Sequence, residues 1–220
     1  MQEPKIHILA ETTHWLAISK PPGIVTEQHP RGKPSVETIV LNYLKANSRR
    51  EKPFLGVVHR LDKVTSGVLL MAKKKSALKA LNGAFRDRLV TKVYQVLITN
   101  MPPEETGTLT HHLVKNQRKM CAFIHDTPTT GSTEVILEYR VMRKESDCWL
   151  LEVRPLTGKF HQIRAQLAHI GCPVFGDEKY GGMKRIEPGI ALHAFSLTFP
   201  DPTIEKQVTI HDDTAIDFWF

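Results

Sequence analysis

Short apolar runs broken by polar turns set the pattern of this chain, and their spacing switches between the period of a strand and that of a helix. Ile6 to Ala10 and Trp15 to Ser19 read as two strands. Lys20-Pro21-Pro22-Gly23 follows as a rigid turn, since the prolines lack donors and Gly23 permits positive φ. Behind Ser35, a suitable N-cap, Val36, Ile39, Val40, Tyr43 and Leu44 recur at helical spacing and predict a helix from Val36 to about Ala46. Ser76 is placed to cap a second helix with the stripe Leu78, Leu81, Phe85 and Leu89, weakened by Gly83.

Thr91 to Thr99 is β-rich with apolar residues on both faces, as expected of a central strand, and it carries Tyr94. Thr133 to Met142 and Cys148 to Val153 read as a hairpin around the polar segment from Arg143 to Asp147. After Thr157-Gly158 the residues Phe160, Ile163, Leu167 and Ile170 return at helical intervals until Gly171 supplies a stop, with His161, Gln162, Arg164 and His169 off the apolar stripe. Ala194 to Phe199 and Gln207 to Ile210 flank Pro200-Asp201-Pro202 and suggest a last hairpin. No repeat, low-complexity tract or long linker intervenes. The expected fold is α+β: one domain over residues 1–220, with a central mixed, largely antiparallel sheet and flanking helices and loops.

One turn stands apart chemically. In His59-Arg60-Leu61-Asp62-Lys63-Val64-Thr65-Ser66-Gly67, a carboxylate lies between two cations, with apolar segments leading in from Phe54 and out to Ala72. Asp62 is therefore expected in a strand-turn-strand at the edge of a core. Neighbouring Arg60, Lys63 and His59 would keep it ionised, a candidate nucleophile or base. Asp and Gly are also common in turns for backbone reasons alone.

Composition narrows the class. The 220 residues are 41% hydrophobic and 24% charged, as in an ordinary globular protein, and no apolar run approaches the length of a membrane helix. The N-terminus lacks the apolar stretch of a signal peptide, so a cytoplasmic address is expected. Cys121, Cys148 and Cys172 fit neither a disulfide framework nor a paired zinc motif. The net charge of +7 points to an anionic partner, nucleic acid first. The cations fall in rims beside turns: Arg31 and Lys33; Arg49, Arg50 and Lys52; Lys73, Lys74 and Lys75; Lys115, Arg118 and Lys119; Lys184 and Arg185.

Three segments together carry a resemblance: the Asp62 turn, the strand Lys92-Val93-Tyr94-Gln95-Val96, and Thr157-Gly158-Lys159-Phe160-His161-Gln162-Ile163-Arg164. With Gly176-Asp177-Glu178-Lys179-Tyr180-Gly181 and Leu192-His193-Ala194-Phe195-Ser196-Leu197, they closely resemble the RluA-type RNA pseudouridine synthase family over roughly Lys20 to Phe199. The resemblance implies a cofactor-free isomerase that detaches uracil from C1′ in ribosomal or transfer RNA, turns it, and rejoins it through C5. Asp62 matches the family's catalytic aspartate, acting either as nucleophile at C1′ or as base for the 2′ proton. Tyr94 matches the tyrosine that stacks on the base and helps remove the C5 proton. Arg164 matches the basic partner of the aspartate, where a planar guanidinium suits a carboxylate better than an ammonium does. Arg60 resembles the arginine that takes the flipped nucleotide's place.

The residues agree with this on their own terms. Chemistry on a glycosidic bond needs the nucleotide out of its stack, and Tyr94, Leu61, Ile163 and Leu197 can supply an aromatic face and an apolar floor. Arg60, Ile163 and Leu197 are the expected substrate contacts. No metal is expected, because His59, His161 and His193 show no ligand spacing and His111-His112 is a poor one; the resemblance implies no cofactor, and no membrane contact and a monomeric state are expected as well. Two features depart from the family. Lys159-Phe160 stands where arginine and a small polar residue are frequent, and no separate N-terminal RNA-binding domain is expected ahead of the catalytic lobe. A non-catalytic RNA-binding protein on the same scaffold is the alternative, opposed by Asp62, Tyr94 and Arg164 occurring together. A glycosidase would want a second facing acid and a magnesium-dependent phosphatase more acids near Asp62.

Overall fold

A computed structural model describes residues 6–27, 34–47, 52–184, 188–204 and 206–214. The chain divides into two compact units, residues 1–91 with 194–220, and residues 92–193. Among the described residues the first half runs β1 (His7–Glu11), β2 (Trp15–Lys20), α1 (Val36–Asn47), β3 (Gly56–Val57), β4 (Ser66–Ala72) and α2 (Lys75–Arg86). There follow β5 (Thr91–Ile98), β6 (Thr106–Asn116), β7 (Cys121–His125), β8 (Thr133–Glu145), β9 (Cys148–Pro155), α3 (Gln162–His169), a short 3-10 turn (Glu178–Tyr180), β10 (Leu192–Pro200) and β11 (Gln207–His211). The α+β class and the largely antiparallel pairing are as the periodicities require.

In the first unit, strands lie in the order β1-β2-β4-β10, with β11 on β10 and β3 on β4. Because side chains alternate faces along a strand, Trp15, Ala17, Val68, Leu70 and Ala72 form one core with Ala77, Leu81 and Ala84 of α2. Trp15 meets Phe199 edge to face at 5.2 Å and donates its indole N–H to Asp201 at 2.7 Å, so its polar atom is satisfied inside that core. The α1 stripe is buried at Val36, Val40 and Leu44, and Ser35 Oγ accepts the Thr38 N–H at 3.2 Å, the capping bond its sequence position suggested.

The start of α2 differs from expectation. The helix begins at Lys75 behind an extended Lys74, so Ser76 falls inside the first turn and, among the described residues, no side chain caps it. The chain leaves β4 still tied to the β1–β2 turn by the Lys73 N–H to His14 C=O bond, which sets the helix start. Leu89 lies beyond the helix end and is exposed, since Arg88 takes φ 58° and turns the chain away.

The second unit orders its strands β5-β9-β8-β6-β7. The β8–β9 hairpin is longer than the sequence suggested, pairing Glu145 with Cys148 across Ser146 at φ 52°. The sequence pattern did not single out β6 and β7, whose Thr, His and Lys positions dilute the apolar alternation. In β5 only Val96, Leu97 and Ile98 are buried, while the half that carries Tyr94 is partly open. Gly171 ends α3 at φ +79° as expected. The polar positions of that helix are not a solvated face, however: Gln162, Arg164 and Gln166 are buried together with Ile163, Ala165 and Leu167.

Gly67 shows how tightly the Asp62 turn joins the sheet. It has φ +113°, and a Cβ there would stand 2.4 Å from the Ala194 carbonyl oxygen and 2.5 Å from its nitrogen. Gly67→Ala is therefore expected to destabilise the protein by about 1 to 3 kcal/mol from the backbone strain alone. A urea titration checks this; an unchanged midpoint at unchanged slope would contradict it.

Candidate active site

The Asp62 turn lies between β3 and β4, where Gly56 pairs with Ala72 and Val57 with Met71. Its Asp62 carbonyl accepts the Thr65 N–H at 3.1 Å. The segment after β2 laces this turn down. Gly23 N–H donates to the Lys63 carbonyl at 2.7 Å, and Thr26 Oγ1 donates to the Leu61 carbonyl at 3.0 Å while accepting the Leu61 N–H. Most telling is Lys20, which is fully buried. Its ammonium donates to the carbonyls of Pro21 at 3.0 Å, Lys63 at 3.3 Å and Thr65 at 2.6 Å, so three N–H groups meet three acceptors. Burial pulls its pKa from 10.5 down to about 7, against the upward pull of the Asp62 charge.

The electrostatics of the turn thus differ from the sequence expectation. Arg60 is exposed and pairs with Glu27 at 2.9 Å. His59 Nε2 accepts the Leu70 N–H at 3.0 Å, and its ring stacks on Phe85 at 4.9 Å, so it is a packed imidazole. Lys20, read from the sequence as part of a rigid turn, is the buried cation whose charge couples to Asp62. Leu61 is buried beside the turn, whereas Leu197 belongs to the core cluster of Trp15, Leu70 and Phe199, which gives it a packing role.

In the second unit, Tyr94 of β5 lies opposite Val153 of β9. Lys92, two residues earlier and so on the same face, donates to the Thr157 carbonyl at 3.3 Å, and burial lowers its pKa. Thr157 anchors the turn before α3: its hydroxyl accepts the Ile136 N–H and donates to Gln162 Oε1 at 2.9 Å. His161 then takes the left-handed conformation, φ 55°, and starts α3. Ile163 is buried, and Arg164 is buried against Asp177, donating from Nε at 2.7 Å and from Nη2 at 2.8 Å. Asp177 is the residue the sequence reading passed over, although it stands in a quoted motif between Gly176 and Tyr180.

A chain of amides runs along the inner side of α3. Gln162 Nε2 donates to Gln166 Oε1, and Gln166 Nε2 faces the Leu109 carbonyl and His111 Nδ1. Among the described residues, His111, Asp126 and His169 are close enough together to hold an ion. Gln166 Nε2 lies 3.1 Å from His111 Nδ1, and His111 Nε2 lies 3.8 Å from Asp126. His169 Nε2 lies 2.8 Å from the Asp126 carboxylate, and burial keeps the His111 pKa below its usual value.

Residues 14–169 match the model of the RNA pseudouridylate synthase family. The chain belongs to that family. The synthase is 30% identical, over 97% of its length, to the ribosomal large subunit pseudouridine synthase C of Rickettsia prowazekii, of which it spans 69%. It is 32% identical over 93% of its length to the protein of the same name from Vibrio cholerae, spanning 64% of it. Two solved human structures, RNA pseudouridylate synthase domain containing 4 and 1, share the fold with TM-scores of 0.77 each at 23% identity. They cover 94% and 96% of this chain, which covers 88% and 86% of them. The synthase is accordingly an RNA-directed isomerase. No helix among its described residues is long and apolar enough to cross a membrane.

Lys20 gives the synthase a testable pH signature. An unfolded chain holds this proton up to about 10.5, the folded one only to about 7. Between those values the unfolded state binds more protons, so this group makes stability rise with pH, by up to about 1.4 kcal/mol per unit. Below about 7 both states are protonated and the slope from Lys20 vanishes. The stability difference between wild type and Lys20→Met, from urea titrations at pH 6 to 9.5, is expected to be flat up to about pH 7 and then to move in favour of wild type. A difference that stays constant across the range would contradict the depressed pKa.

Proposed function

We propose that the synthase converts uridine to pseudouridine in large-subunit ribosomal RNA, with Asp62, Tyr94 and Arg164 as its reacting groups. The observation that carries the reading is the Asp62 turn itself. The backbone that carries this carboxylate is held at a strand junction by a buried ammonium, two backbone–backbone bonds and two bonds to the Thr26 hydroxyl, a rigidity that a surface turn does not need. The choice of ribosomal RNA follows the names of the relatives from Rickettsia prowazekii and Vibrio cholerae.

In the reaction the C1′–N1 bond breaks, the uracil turns, C5 bonds to C1′, and the C5 proton leaves while N1 gains one. Asp62 either attacks C1′ or removes the 2′ proton; both routes need its carboxylate ionised and unable to swing away. Tyr94 stacks on the detached uracil and serves the C5 proton, a role supported by its place on the partly open half of β5. Arg164 supplies a fixed positive charge to the reaction. Arg60 takes the place of the flipped nucleotide: its pair with Glu27 is exposed and screened by salt, so it opens at little cost. Ile163 contributes to the apolar floor.

RNA contact outside the reacting groups is supported by cations laid over aromatic rings in the second unit. Lys115 Nζ lies 4.8 Å from the Phe160 ring centre and Lys119 Nζ 5.8 Å from that of Phe123. Such pairs offer a phosphate and a base their respective partners at one place. Arg31, Lys33, Arg49, Arg50 and Arg185, counted among the basic rims of the sequence, lie outside the described residues.

Base-resolution pseudouridine mapping of cellular RNA with and without the gene tests the target. Loss of one or more large-subunit ribosomal sites is expected; loss confined to transfer RNA would contradict the ribosomal assignment. Asp62→Asn, which keeps shape and removes charge, is expected to abolish product with RNA affinity within a few-fold. Appreciable turnover by the folded variant would remove Asp62 from its role.

Tyr94→Phe separates stacking from proton transfer, because only the hydroxyl is lost. Single-turnover mixing with RNA tritiated at C5 is expected to show tritium release strongly slowed at unchanged binding. Release at the wild-type rate would leave Tyr94 a stacking surface alone.

A further inference from the structure

The loop from Val174 to Gly182 is wound around one residue. Asp177 N–H donates to the Val174 carbonyl at 3.0 Å, and the Asp177 carbonyl accepts from Tyr180 at 3.0 Å and Gly182 at 2.9 Å. Gly182 has no room for a side chain: a Cβ there would stand 2.2 Å from the Val174 carbonyl oxygen. The loop therefore closes on Asp177 and presents its carboxylate, itself only 2% exposed, to the Arg164 guanidinium.

Two further groups close the same plane. Arg164 Nη1 lies 2.9 Å from His161 Nε2, and since arginine only donates, that nitrogen accepts. The neutral imidazole proton then sits on Nδ1, 2.9 Å from the Tyr180 hydroxyl, which also accepts the Ala122 N–H at 2.7 Å. Burial pushes the Tyr180 pKa up to about 12, so this hydroxyl stays neutral. The guanidinium lies 5.1 Å from the Tyr180 ring centre. Three of its five N–H groups are thus directed by Asp177 and His161, which fixes the plane and rotation of the whole fork.

We propose that Asp177 is a positioning residue of the isomerase reaction, holding Arg164 by a bidentate pair in the single orientation in which its guanidinium meets the anionic group it serves. This rests on the proposed role of Arg164. An unrestrained arginine explores many rotamers, and a planar fork acts on a carboxylate only when its edge faces it. A buried ion pair is a weak source of net stability, because desolvation offsets much of the Coulomb gain. What the pair supplies is direction. His161, just before α3, and Tyr180 of the same loop brace it from the other edge.

The test is a double-mutant cycle between Asp177→Asn and Arg164→Lys, read by tritium release under single-turnover conditions from unmodified, protein-free large-subunit ribosomal RNA tritiated at C5 of uridine. Asp177→Asn is expected to slow the reaction about 100-fold, the scale of a 1 Å misplacement of a reacting group, with RNA affinity within about two-fold. In the Arg164→Lys background the same change is expected to cost less than about three-fold, since the fork it orients is gone. Should Asp177→Asn fail to fold, Asp177→Glu keeps the charge and shifts the fork by one methylene; it is expected to lose rate at unchanged affinity as well. Wild-type rates in a folded Asp177 variant, or equal losses in both arms of the cycle, would overturn the proposal. If Arg164→Lys alone reacts at the wild-type rate, or wild type releases no tritium, it is the proposed function that fails, a result distinct from either of these.

Discussion

The ammonium of Lys20 is the fixed point on which the Asp62 turn depends. A buried lysine is costly because its charge gives up water, and the depressed pKa of about 7 is the measure of that cost. The fold offsets it with three carbonyls and with the charge of Asp62. Two of those carbonyls belong to the turn itself, Lys63 and Thr65, so the bonds that satisfy Lys20 are the same bonds that immobilise the residue between Leu61 and Lys63. Thr26 and Gly23 reinforce the lacing from the same segment, and Gly67 lets the chain re-enter the sheet where a side chain would collide with Ala194.

The second unit solves a similar problem with a different cation and a different acceptor. There the buried charge is a guanidinium, and it is held by a carboxylate on a loop that glycine closes. Along α3 the polar side chains Gln162 and Gln166 are buried with directed hydrogen bonds, which fixes the face on which Arg164 stands. Backbone carbonyls do the orienting in the first unit and a carboxylate with an imidazole in the second, and in both a glycine lets a neighbouring segment close tightly.

Much of this was legible in the sequence wherever a side chain's own pattern states its environment. The stripe of α1 with Ser35 before it, the turn around Asp62, the Gly171 stop and the β10–β11 hairpin each follow from residue type and spacing. What escaped is what depends on a partner distant in sequence. Lys20 reads only as part of a rigid turn until the Lys63 and Thr65 carbonyls, more than forty residues away, are in place. Gln162, Arg164 and Gln166 break the apolar stripe of α3 and look solvent-facing, because hydrogen-bond satisfaction of a buried polar group leaves no periodic trace. Asp177 was visible only as part of a motif, its pairing with Arg164 hidden by the loop between them. β6 and β7 carry too few apolar residues on one face to announce themselves.

The central claim is that a buried, charge-coupled lysine holds the aspartate of this isomerase in place. Its most direct test is an NMR titration of the Lys20 side chain in protein labelled at lysine, for wild type and Asp62→Asn. A midpoint near 7 in wild type is expected. Because the Asp62 charge raises that value, the midpoint should fall further when the charge is removed. A midpoint near the ordinary 10.5, or one indifferent to Asp62→Asn, would contradict the account.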